Sequence, residues 1–115
     1  TNNMKNNQKF NVLFWVNKQR LKDSEAPIYI RIYVDSKRAE IATRHFIDPK
    51  FWDNKNSRVK PNGPNNFLIN TFIETAKSEL NKHYLFLMAS GQMVQPNQLK
   101  NLYMRGFTVQ GVHSF

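Results

Sequence analysis

Hydrophobic residues recur at every second position in three stretches of the first half of the chain, and at every third or fourth position in one long stretch of the second. From Phe10 to Val16, Phe10, Val12, Phe14 and Val16 fall on one side and Asn11, Leu13 and Trp15 on the other, the period of a half-buried strand. The clearest strand runs from Ile28 to Val34, with Ile28, Ile30, Ile32 and Val34 facing one way and Tyr29, Arg31 and Tyr33 the other. A third, Arg38 to Arg44, sets Ala39, Ile41 and Thr43 against Arg38, Glu40, Ala42 and Arg44. If Asp35 and Ser36 form a two-residue hairpin loop, Val34 faces Lys37, Tyr33 faces Arg38, Ile32 faces Ala39, Arg31 faces Glu40 and Ile30 faces Ile41. The apolar faces coincide, which the choice of turn did not require. The pattern predicts a three-stranded antiparallel meander with one oily face and one face of aromatic and charged groups.

Between the first two strands, NKQRLKDSEA is a polar loop carrying Lys18, Arg20 and Lys22. After the sheet, Asp48 is an N-cap candidate before Pro49, and Phe51 and Trp52 would pin one short helical turn to the core. Asn54 to Asn62 reads as a polar, basic loop. From Pro64 to about Ser90, Ile69, Phe72, Ile73, Ala76, Leu80, Tyr84, Leu87 and Met88 form one helical stripe, opened by Pro64 and closed by Gly91. By itself such a stripe implies a core helix without a ligand. A second, shorter helix is expected from Pro96 to Met104, before a tail, GFTVQGVHSF, that looks cut off. Residues 1–9, rich in Asn and Lys, should be a mobile basic arm. The fold class is therefore α+β: a three-stranded antiparallel sheet packed on one long helix, with a short C-terminal helix.

A length of 115 residues suits one compact domain, and 40% hydrophobic residues suffice for a core. The absence of cysteine removes disulfides, thiolate zinc sites and thiol catalysis. No apolar run is long enough for a membrane span or a signal peptide, so a cytoplasmic location and no membrane partner are expected. No phosphate-binding glycine loop and no close His pair is present, so no cofactor, metal or small-molecule ligand is expected. His45, His83 and His113 are scattered, and Asp23, Glu25, Asp35, Asp48 and Asp53 sit where turns and caps want them, so no catalytic residue is assigned.

Charge narrows the partner. Net charge is +9, and residues 1–60 hold 13 Lys+Arg against 6 Asp+Glu, leaving 4 against 2 for residues 61–115. A polyanionic partner engaged by the first half is the natural implication. A sheet covered on its oily side leaves Tyr29, Arg31, Tyr33, Arg38 and Arg44 on the bare one, where guanidiniums can fork onto phosphates or guanine edges. A purely structural account has Arg31 pairing with Glu40, the tyrosines favouring strand, and Trp15 covering an edge. Two other functions fit the same inventory: an RNA or single-strand binder, and a protein-interaction module using the long helix.

The segments FNVLFWVNK, EAPIYIRIYVDSKRAEIATR, FIDPKFWD and KNSRVKPN, in that order, resemble the N-terminal arm-type DNA-binding domain of tyrosine recombinases of the phage integrase family, as found in integrases of Bacteroides-type mobile elements. The resemblance runs from about Phe10 to Met104, with PIYIRIYVDSKRAEIAT its most specific part. It implies a sheet whose exposed face enters the major groove of double-stranded DNA at arm sites, in a protein that assembles with other recombinase protomers. Trp15, Tyr29, Arg31, Tyr33 and Arg38 would then face the groove, and Lys18, Arg20, Lys22, Lys37 and Arg44 the flanking phosphates. The implied organisation is a basic arm over 1–9, the DNA-binding domain over 10–92, and a short helix and linker over 93–115 toward a core-binding domain. In such recombinases catalysis resides in a separate domain with a His-x-x-Arg segment, which this chain lacks, so this piece should bind without cutting. Ser36 stands where the family commonly has Gly, which leaves the turn type open and allows a bulge.

Overall fold

The alternating segments form the expected sheet. In the computed structural model, which describes residues 8–113 and side chains through residue 106, β1 (Phe10–Val16), β2 (Ala26–Val34) and β3 (Lys37–Ile47) pair antiparallel in the order β1-β2-β3. Residues 1–7, most of the expected basic arm, lie outside the described residues, as do residues 114–115 at the end of the tail. The hairpin register is the one the alternation dictates, from Val34↔Lys37 through Ile30↔Ile41. The positive φ of its turn falls on Asp35 (56°) rather than on Ser36, and Asp tolerates the left-handed region better than most residues. Asp35 is also tied to the chain ahead of β1: its N–H donates to the Lys9 carbonyl at 2.8 Å, and its carboxylate accepts the Lys9 N–H at 3.0 Å.

The bulge that Ser36 allowed at the turn does not occur, and an irregularity the sequence did not indicate lies at the other end of the hairpin. β3 continues past Arg44, where the sequence pattern ended it, because Thr43, Arg44 and His45 bulge out between the Pro27↔Phe46 and Tyr29↔Ala42 pairs. Arg44 takes φ 68° there. The Thr43 hydroxyl replaces the lost ladder bonds, donating to the Ile28 carbonyl at 2.7 Å and accepting the His45 N–H at 3.0 Å. β2 correspondingly starts at Ala26, two residues before the first alternating isoleucine. Pro27 is tolerated near the strand's start, where its carbonyl accepts the Asn17 N–H at 3.0 Å.

Two helices cover the oily face. α1 (Asn66–Ala89) buries Ile69, Ile73, Ala76, Leu80, Tyr84 and Leu87, the stripe read from the sequence, with Phe72 and Met88 half-buried beside it. It starts two residues after Pro64, and Gly91 at φ 79° ends the segment in the left-handed conformation that suits glycine. α2 (Pro96–His113) runs past its expected end at Met104. Gly106 does not stop it, since an isolated helical glycine costs only about 1 kcal/mol against alanine. Leu99 of α2 is fully buried in the same core as Ile30, Ile32 and Ile41, so α2 shares with α1 the covering of the sheet.

The region from Asn54 to Asn62, expected to be only a loop, contains half of a small hairpin, β4 (Trp52–Asp53) with β5 (Arg58–Val59), which follows the expected helical turn over Pro49–Phe51. Asn70 of α1 clasps it through both backbone groups of Val59, accepting its N–H at 2.9 Å and donating to its carbonyl at 3.1 Å.

Candidate nucleic-acid interface

The outward positions of the sheet carry Asn11, Leu13 and Trp15 on β1, Tyr29, Arg31 and Tyr33 on β2, and Arg38, Glu40, Ala42, Arg44 and Phe46 on β3. Strict alternation puts those up to Ala42 there, because their inward neighbours are apolar residues of the core, and Arg44 and Phe46 follow on the same side across the bulge. Arg31 sits at the centre and is held by three neighbours. Its Nε donates to Glu40 Oε2 across the strands, its Nη1 donates to the Tyr33 hydroxyl at 3.4 Å, and its guanidinium carbon lies 4.6 Å from the Trp15 ring centre. Trp15 packs in turn against Tyr29, 5.4 Å between ring centres. Among the described residues the Trp15 indole N–H is enclosed with no hydrogen-bond partner, and the ring packs as a floor for Arg31 and Tyr29.

The Arg31 hydrogen bond, with a smaller contribution from Arg38, holds the Tyr33 hydroxyl below the ordinary tyrosine range. That hydrogen bond also raises the Arg31 pKa further, against the opposing effect of burial, so the guanidinium is a permanent cation. Arg38 is exposed.

At the bulged end of the sheet, Arg20, Lys22 and Arg44 surround a groove of about 510 Å³ whose apolar lining includes Pro27, Tyr29 and Phe46. Lys18 is exposed on the same 3-10 turn as Arg20, a turn capped by the Asn17 side chain. Lys37 lies at the opposite, hairpin end and reaches the Gln95 side chain at 3.4 Å, ahead of α2. The ten residues singled out in the sequence thus divide into a central cluster of Trp15, Tyr29, Arg31 and Tyr33 with Arg38 beside it, a basic rim of Lys18, Arg20, Lys22 and Arg44, and an outlying Lys37.

Sequence reasoning missed Phe46, because the alternation was taken to stop at Arg44, and it named Glu40 only as a pairing partner. Opposite pairing with Arg31 was the available signal for Glu40. His45 turns inward against Phe72, 4.5 Å between ring centres, and burial lowers its pKa.

Among the described residues no cluster of three metal-ligating side chains occurs, and no helix is long and apolar enough to cross a membrane. Fold and surface together define a small α+β module that presents a cationic, aromatic sheet face. The chain belongs to the arm DNA-binding domain family, whose model matches residues 14–100. It is a DNA-binding domain. Searches of the curated proteins and of the solved structures found no match.

Proposed function

We propose that the domain binds duplex DNA at arm sites by laying the outer face of β1–β3 in the major groove, as the non-catalytic N-terminal module of a bacterial site-specific integrase of the tyrosine recombinase kind. Residues 10–92 carry the binding face and α1; residues 93–115, whose Val94 and Leu99 complete the same core, lead on toward the core-binding domain of the parent, which works with other protomers on the nucleoid. Three strand backbones are about 10 Å across, and the major groove is about 12 Å wide. The face therefore fits the groove as a layer. Arg31, Tyr29, Tyr33 and Trp15 form its centre, Arg38 reaches bases from the exposed side, and Lys18, Arg20, Lys22, Lys37 and Arg44 hold phosphates.

The observation that carries this function is the fixation of Arg31 by Glu40, Tyr33 and Trp15 while Arg38 beside it stays exposed. A guanidinium already ordered in the free protein loses less side-chain entropy on binding, and recognition gains accordingly. The interaction-module alternative draws on Phe67 and Phe86 of α1, 82% and 67% exposed. They are 19 residues apart, about 28 Å along the helix, and so do not make one continuous patch.

Substitutions on the two faces separate the functions. Arg38→Ala should leave the melting temperature within a few degrees and weaken binding to a selected site by about 1–3 kcal/mol if it reads a base edge. Lys82→Ala, on the outer side of α1, should change neither. The reverse outcome, with Lys82→Ala abolishing binding and Arg38→Ala and Tyr33→Ala silent, would put the helix in the groove.

A further inference from the structure

Glu40 is the one acidic side chain among the outward positions of β1–β3, in a chain of net charge +9. A carboxylate facing a polyanion lowers affinity by like-charge repulsion unless it accepts hydrogen bonds from the ligand. Its own geometry leaves it able to. Oε2 accepts from Arg31 Nε, and among the described residues Oε1 accepts nothing. The Glu40 side chain is 35% exposed against 21% for Arg31, so the carboxylate is at the surface rather than beneath its partner. Arg31 in turn has Nε and Nη1 committed to Glu40 and Tyr33, and its Nη2 has no partner among the described residues. The centre of the sheet therefore presents a fixed donor and a fixed acceptor next to each other.

We infer that Glu40 is a base-reading residue, and that the Arg31–Glu40 pair selects a G·C base pair: Arg31 donates to guanine O6 or N7 while Glu40 Oε1 accepts from the cytosine N4 amino group. The inference rests on the sheet-in-groove function proposed above. In the major groove the hydrogen-bond donors are cytosine N4 and adenine N6, and every other polar edge atom is an acceptor. An ionised carboxylate accepts only and a guanidinium donates only. Glu40 is thus repelled by guanine O6 and thymine O4, and excludes wrong bases as well as attracting the right one. One G·C pair offers both complements side by side. Trp15 and Tyr33 position the pair without touching it to the base.

The test starts from the sequence selected by the parent chain out of random duplexes. Replacing the cytosines of that site one at a time by N4-methylcytosine, whose methyl group takes the groove-side place on the amino nitrogen while the pairing hydrogen remains, should weaken the parent roughly tenfold at one position. Glu40→Gln can donate as well as accept, so it should reduce discrimination at that same position by a similar factor and leave preferences elsewhere unchanged. The inference is overturned if no cytosine amino group matters, or if Glu40→Gln keeps every preference, while Arg38→Ala still weakens binding; the sheet would then be the interface and Glu40 only a strut. If Arg38→Ala is also silent, or no duplex is bound, the underlying function fails with it. If Glu40→Gln does not fold, the modified-cytosine series on the parent chain still overturns the inference when no cytosine amino group matters, and Glu40→Ala takes its place as the variant that must lose discrimination at the sensitive cytosine.

Discussion

Arg44 keeps a left-handed backbone at φ 68°, a conformation in which an arginine is strained by about 1–2 kcal/mol and a glycine is not. It lies in the β3 bulge and lines the groove shared with Arg20 and Lys22. Strain retained at such a position points to use of the side chain. Arg44→Gly should leave stability within about 1 kcal/mol of the parent, since relief of strain offsets the extra entropy of an unfolded glycine. The same variant should bind duplex DNA more weakly and with a salt slope shallower by about 0.9, one phosphate contact having gone. Thermal melts and titrations at several salt concentrations check both halves. Unchanged binding would remove Arg44 from the interface. Its place on the outward face was legible from alternation alone. The bulge was not, because it depends on the Thr43 hydroxyl standing in for ladder bonds, which the hydrophobic pattern does not encode.

Elements with long, clean periods were readable from spacing, and the short turn over Pro49–Phe51 from its cap and proline, but the two-residue strands were not. β1, the β2–β3 register and the buried stripe of α1 follow from the spacing of apolar residues, since shifting a strand by one position would turn its isoleucines to solvent. The β4–β5 hairpin has two residues per strand, too few to show a period, and is fixed by tertiary partners. Gly63 is one of them. A Cβ there would come within 2.5 Å of Val59 Cγ1 and 3.2 Å of the Lys60 carbonyl oxygen. Gly63→Ala should therefore destabilise the fold by about 1–3 kcal/mol through overpacking, read as a lower denaturation midpoint. The sheet face is formed by other elements, so DNA affinity at a temperature where the variant is folded should stay at the parent value. A loss of affinity in the folded variant would mean that the hairpin belongs to the interface.

Across the whole molecule, the sheet divides labour between its two sides. One is sealed by α1 and α2 into a single apolar core; the other carries the fixed Arg31 cluster and the basic rim. Charge gathers on the open side, where Lys18, Arg20, Lys22, Arg31, Arg38 and Arg44 lie, all within the first 60 residues, which hold 13 of the 17 basic side chains. The direction of this asymmetry was visible in composition; which cations gather at one end of the sheet, and that Lys37 stands apart from them, required the fold. In the proposed function this face neutralises DNA phosphates, and the dependence of duplex affinity on salt counts them. Five phosphate contacts, by Lys18, Arg20, Lys22, Lys37 and Arg44, give a slope of log K against log salt of roughly −4 to −5. A slope in that range is expected, and a slope near zero, or no duplex binding at low salt, would mean that the sheet face holds no DNA phosphates.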